Sequence, residues 1–263
     1  MQYIKQLDSI RGIAVGLVIL SHWLPKQHFL NTLPNGQIGV DIFFVLSGFL
    51  ISKILFDNRD KATLQNLPVA TVLKSFYIRR ALRLFPIYYL TIIVLYVFAE
   101  STNTSIKDSF FYYATYTSNF YSFNMQMWDG MLSHMWSLAV EEQYYLIWPW
   151  LVLLVKRKYI LPTILSFIVI GIGSQFMLSG VPMSRILTFT CFDAFGLGSL
   201  LAWIITYKSD KKALYYKRFS ITAGITLIYF IYAVITKQWQ LLSIRTTVSL
   251  LTVWFIFYIY RNY

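Results

Sequence analysis

The chain alternates long apolar runs with short polar connectors from its first residues to its last. None of these runs shows the every-second-residue alternation of a half-buried strand. Their length and continuity instead predict helices that cross a bilayer. Eight spans are expected, at Ile10–Leu24, Ile38–Phe56, Leu84–Ala99, Trp136–Val155, Tyr159–Leu178, Ile186–Tyr207, Phe219–Thr236 and Thr246–Tyr260. The fold class is therefore all-α, a polytopic transmembrane helix bundle of about eight spans, and residues 1–263 read as one integral membrane domain. The first run is not followed by a small-residue cleavage site, only by Trp23-Leu24-Pro25, so it is read as a span rather than a signal peptide.

Composition agrees with this pattern. Of the 263 residues, 57% are hydrophobic and 13% charged, with a mean hydropathy of +0.56; a soluble domain carries about 25% charged residues. The net charge of +12 does not point to nucleic acid, because the basic residues lie between apolar blocks and not along one amphipathic face. They do report orientation. With the N-terminus inside, only Lys26, Lys107, Arg185, Lys237 and Arg245 of the 23 basic residues fall on the outer side, which is the positive-inside bias. The single Cys191 allows no intramolecular disulfide and suggests no thiol metal site; no metal is expected.

Polar residues inside apolar spans are costly, about 2.5–3.5 kcal/mol for a carboxylate or guanidinium at mid-helix, and mark function by default. The first span carries Asp8 and Arg11 at its inner end and His22 at its outer end. Arg11 and His22 are eleven residues apart, hence within ~20° of one azimuth and about 16 Å apart along the axis. Asp41 sits in the first turn of the second span, where a carboxylate suits the helix dipole. Ser47, Gly48, Ala194, Gly198 and Ala202 are small residues expected at helix contacts. In YIRRALRLFPIYYL (Tyr77–Leu90), Arg79, Arg80 and Arg83 are spaced to form one cluster at the inner surface, able to fork onto phosphate. The stretch SHMWSLAVEEQYYLIWPW (Ser133–Trp150) places Glu141 and Glu142 in the outer half of a span. His22, His134 and Asp193 are expected in that same layer, and a histidine among carboxylates suits general-base chemistry. Tyr145, four residues after Glu141, is expected to hydrogen-bond it, leaving Glu142 to face the imidazole.

Four stretches, LDSIRGIAVGLVILSH (Leu7–His22), GVDIFFVLSGFLI (Gly39–Ile51), FYIRRALRLFPIYYL (Phe76–Leu90) and SHMWSLAVEEQYYLIWP (Ser133–Pro149), resemble in this order the acyltransferase-3 family of integral membrane O-acyltransferases. The resemblance implies transfer of an acyl group, commonly acetyl, from cytoplasmic acyl-CoA to a hydroxyl of a surface glycan or glycolipid. It implies a bacterial inner membrane location with the N-terminus cytoplasmic, the donor as co-substrate, and no tightly bound cofactor. His22 would be the base or acyl relay, with Glu142 or Glu141 orienting it or moving a proton. Arg79, Arg80, Arg83 and Arg11 would hold the coenzyme phosphates, and Asp8, Asp41, His134 and Asp193 would support the site. The family pattern has ten spans, so the chain is expected to lack the C-terminal ones. Cys191 also stands where an arginine is expected two residues before Asp193. The alternative from another class is a non-enzymatic transporter or flippase of a lipid-linked glycan, which would neither hydrolyse nor exchange acyl-CoA.

Overall fold

The computed structural model describes residues 4–25, 28, 33–102, 104–239 and 241–262. Lys26, one of the outer basic residues, lies outside them. Among the described residues all regular structure is helical. The helices are α1 Lys5–Trp23, α2 Asn35–Leu64, α3 Val69–Val97, α4 Ala99–Thr102, α5 Ile106–Ala114, α6 Ser118–Met125, α7 Met135–Leu154, α8 Ile160–Met177, α9 Phe192–Tyr207, α10 Lys212–Thr236 and α11 Ile244–Asn262.

Every expected span falls on a helix, the sixth entering through two short 3-10 turns. Five stretches are long and apolar enough to cross a membrane: Asn35–Leu64, Val69–Val97, Arg157–Met177, Thr188–Tyr207 and Ser209–Thr236. The three other expected spans lie in α1, α7 and α11, helices of 19, 20 and 19 residues whose polar and aromatic side chains take them out of that set. The largest boundary difference is in α3, which starts at Val69 and not Leu84. Nothing in VATVLKSFYIRRALR breaks a helix, so the arginines lie within its 29 residues rather than before it. Rows of exposed aliphatics on α3 (Ile78, Leu82, Ile87, Leu90) and α10 (Ile221, Ile225, Ile228, Ile235) suit lipid contact.

The chain forms two compact units. The first comprises residues 1–57, 158–174 and 192–263. Here α2 and α9 pack at backbone distance. A Cβ at Gly48 would collide with the Phe195 carbonyl, and one at Gly198 with the Val45 carbonyl. Ser52 Oγ donates to Ser199 Oγ at 2.7 Å across the same contact, and Phe44 lies against Phe195. In lipid, apolar burial does not drive helices together, so this close approach and the hydroxyl bond supply the cohesion. On the other side Phe257 of α11 takes Tyr216 and Phe219 of α10 edge-on.

The second unit comprises residues 58–157 and 175–191. Its core includes Tyr88, Ile92, Ile106, Tyr113, Leu132 and Ala139, so the long connector after α3 folds onto α3 and α7. Asp129 secures this connector. It accepts from Ser105 N at 3.0 Å, Ser105 Oγ at 2.8 Å and Tyr113 Oη at 2.9 Å.

Candidate active site

The three polar residues in the middle of α7 each find a different partner within the second unit. Tyr145 Oη donates to Glu141 Oε2 at 3.1 Å, the contact expected from their spacing. Gln143 Nε2 donates to the Tyr116 carbonyl at 2.6 Å and to Asn119 Oδ1 at 2.9 Å. Asn119 Nδ2 donates in turn to Thr188 Oγ1 at 3.0 Å, and Thr188 Oγ1 donates to Gln143 Oε1, closing a ring. Gln143 is thus a structural member that ties α6 and the turn at 188 to α7.

Glu142 pairs with a residue of another helix. Its Oε1 lies 3.6 Å from Arg80 Nε, an ion pair with side chains 11% and 21% exposed. At that distance the two atoms do not complete a hydrogen bond, and both are buried without one among the described residues. The guanidinium also lies 3.5 Å over the Tyr145 ring, which fixes its plane. Next to this pair, Tyr116 is held in the left-handed region at φ 55°. It stacks on Tyr88 at 4.3 Å and Phe85 at 5.9 Å, and its buried Oη has no hydrogen-bond partner among the described residues. A carboxylate, a guanidinium and a phenol with hydrogen-bonding capacity left over, walled by aromatic rings, form a site equipped to take a polar group.

A second polar cluster lies in the first unit. Arg245 Nε bonds Asp41 Oδ1 at 2.8 Å, with side chains 3% and 0% exposed. The next residue, Thr246, donates to Asp193 Oδ2 at 2.6 Å. Asp41 and Asp193 are therefore held by adjacent residues of α11. Arg245, counted among the basic residues between spans, is buried with its carboxylate partner. Asp41 was expected in a first turn, but α2 begins six residues earlier at Asn35, so the carboxylate lies inside the helix and pairs with a side chain instead of the helix dipole.

The other expected residues are placed as follows. Arg11 pairs with Asp8 at 2.7 Å in its own helix. His22 is exposed in the last turn of α1, in the first unit with Arg11 and Asp8. His134 is exposed at the N-cap of α7. The arginine triplet is divided: Arg79 and Arg83 are exposed, Arg79 bonding Ser75, while Arg80 turns in to Glu142. The reason is the ~100° step per residue, which sends Arg80 to a different face. The inner arginine and the outer-half glutamate, expected in separate layers, meet. Sequence reasoning missed Tyr116, Asn119, Thr188 and Arg245. Arg245 alone left a signal, the polar stripe Arg-Thr-Thr-x-Ser that opens an otherwise apolar helix. Among the described residues no group of three or more His, Cys, Asp or Glu side chains could hold a metal ion.

A buried, aromatic-walled charge pair among helices long and apolar enough to cross a membrane marks a multi-pass membrane protein. The family model described as "Acyltransferase domain" matches residues 4–263, and the chain belongs to that family, acyltransferase 3. It is 37% identical over 196 residues to peptidoglycan O-acetyltransferase OatA of Listeria monocytogenes, covering 70% of this chain and 29% of that protein. It is 35% identical over 173 residues to a putative O-acetyltransferase of Staphylococcus aureus strain COL, covering 60% and 27%. It is 34% identical over 171 residues to the putative peptidoglycan O-acetyltransferase YrhL of Bacillus subtilis, covering 61% and 25%. The matched region is thus under a third of each of these relatives. No solved structure matches the chain.

Proposed function

We propose that the protein is a multi-pass O-acetyltransferase of the bacterial cytoplasmic membrane that moves an acetyl group from cytoplasmic acyl-CoA to a hydroxyl of a cell-wall glycan. The observation that carries this reading is the Arg80–Glu142 pair, buried in the second unit with hydrogen-bonding atoms still unsatisfied. Membership of the acyltransferase family and the printed names of the relatives support the reaction class and the glycan.

In the reaction the acceptor hydroxyl forms a new C–O bond to the acyl carbon as the C–S bond breaks. The hydroxyl proton ends on the departing thiolate, so the net charge is unchanged. His22 takes that proton as general base. Glu142 serves proton transfer, and Arg80 places positive charge where the acyl oxygen or a donor phosphate gathers negative charge. Arg79, Arg83 and Arg11 offer further phosphate contacts. Glu141, bound to Tyr145 in its own helix, is the less reactive of the two carboxylates.

The test is transfer from isotopically labelled acetyl-CoA to a soluble peptidoglycan fragment by the protein in nanodiscs, read by mass spectrometry. Wild type should yield an ester-labelled glycan. His22→Ala should lose about 10²–10⁴ in rate, the usual scale for a general base. Movement of a lipid-linked glycan without acyl exchange would replace this reading with that of a flippase.

A further inference from the structure

A cavity of about 380 Å³ lies within the second unit, away from the Glu142 pair in sequence, where the end of α2 turns into α3. Arg59, Thr63 and Asn66 line it as polar walls; Ala62, Val72 and Leu153 form a buried apolar floor. Arg59 is preorganised. Its Nη1 donates to the Val155 carbonyl at 2.7 Å and also to the Val152 carbonyl, both in the last turn of α7. These are carbonyls with no intrahelical donor left, so the guanidinium caps the helix while its position is fixed. Among the described residues its Nε and Nη2 have no protein partner. Asn66 is fixed too, held at φ 52° in the turn. The surrounding chain carries Lys61, Lys156 and Arg157 against two acids, Asp57 and Asp60, and Asp57 is already paired with Lys53.

We propose that this cavity binds a phosphate group carried on an amphipathic body. The guanidinium edge and the Asn66 side-chain amide would donate to the phosphate oxygens, Thr63, whose hydroxyl already donates to the Arg59 carbonyl at 3.0 Å, would line the wall beside them, and the apolar floor would meet the body that bears them. Two sources share this chemistry. One is the nucleotide end of the acyl-CoA donor, which rests on the proposed function. The other is an anionic lipid headgroup, which does not.

Two substitutions leave the Arg59 cap intact: Thr63→Trp, which fills the cavity from an exposed position, and Asn66→Gly, which removes the side chain where glycine accepts the positive φ without strain. Adenosine 3′,5′-bisphosphate is titrated calorimetrically into the purified protein, and retention of phosphatidylglycerol over phosphatidylcholine is read by native mass spectrometry. Wild type should bind at least one of these. Thr63→Trp should weaken that binding about tenfold or more, and Asn66→Gly a few-fold, at an unchanged unfolding midpoint. Loss confined to the nucleotide arm assigns the donor end; loss confined to the lipid arm assigns a headgroup. Wild type binding neither, or both variants binding as wild type, would overturn the proposal. Neither arm requires acetyl transfer, so an inactive but binding protein would refute only the proposed function.

Discussion

Replacing Arg245 with Gln would leave the Asp41 carboxylate inside the first unit without its guanidinium. The pair is short, 2.8 Å, and almost wholly removed from solvent, at 3% and 0% exposure. At an effective dielectric constant near 20, two unit charges at that distance attract by about 6 kcal/mol before desolvation is subtracted. Breaking such a pair from one side typically costs about 3–5 kcal/mol, because the remaining charge stays buried. Removing both charges is far milder, since neither the attraction nor the desolvation remains. The single variants Arg245→Gln and Asp41→Asn should therefore each lower the unfolding midpoint, the former by about 6–20 °C at ~2–4 °C per kcal/mol. The double variant should recover most of that loss. Fluorescence-detected size exclusion after graded heating, in one detergent, gives the three midpoints. A double variant as unstable as the sum of the singles would show that the two side chains do not interact energetically, and the reading of α11 as the element that neutralises Asp41 would fall.

Glu142→Gln and Arg80→Gln should each lower acetyl transfer strongly, and together little further, because each acts through the other; additive losses would separate their roles, and Glu141→Gln should be the mildest of the three. Tyr113 lies in the connector between α3 and α7, and burial first, then the charge of Asp129 and the hydrogen bond to it, raises its pKa well above the usual tyrosine value of 10.0. Its contribution to stability is therefore complete below about pH 10 and declines above it; unfolding midpoints from pH 8 to 11 should fall more steeply for wild type than for Tyr113→Phe, and parallel curves would contradict this. Gly198→Leu should abolish the folded peak in size exclusion, since its first side-chain carbon already meets the Val45 carbonyl; a normal peak would mean that α2 and α9 do not pack through their backbones.

The apolar runs determined where the helices lie, because a backbone without water must bond to itself wherever it crosses lipid. Each expected span is a helix, and the small residues Gly48 and Gly198 are the contact points that their size implied. The Glu141–Tyr145 bond was legible because both ends lie on one helix, where spacing alone sets the geometry. Hydropathy misplaced the start of α3, since a charge inside a helix interrupts an apolar run without interrupting the backbone bonds. The pairings between helices belong to the tertiary structure. Arg80 with Glu142 and Arg245 with Asp41 join residues 62 and 204 positions apart, and no periodicity within one helix carries information about the partner helix's rotation. Counting basic residues between spans gave no sign that Arg245 is buried, because it reads every arginine there as facing water. Packing decided which arginines face outward and which neutralise a buried carboxylate, because a buried carboxylate keeps its charge at tolerable cost only where a cation is brought to it.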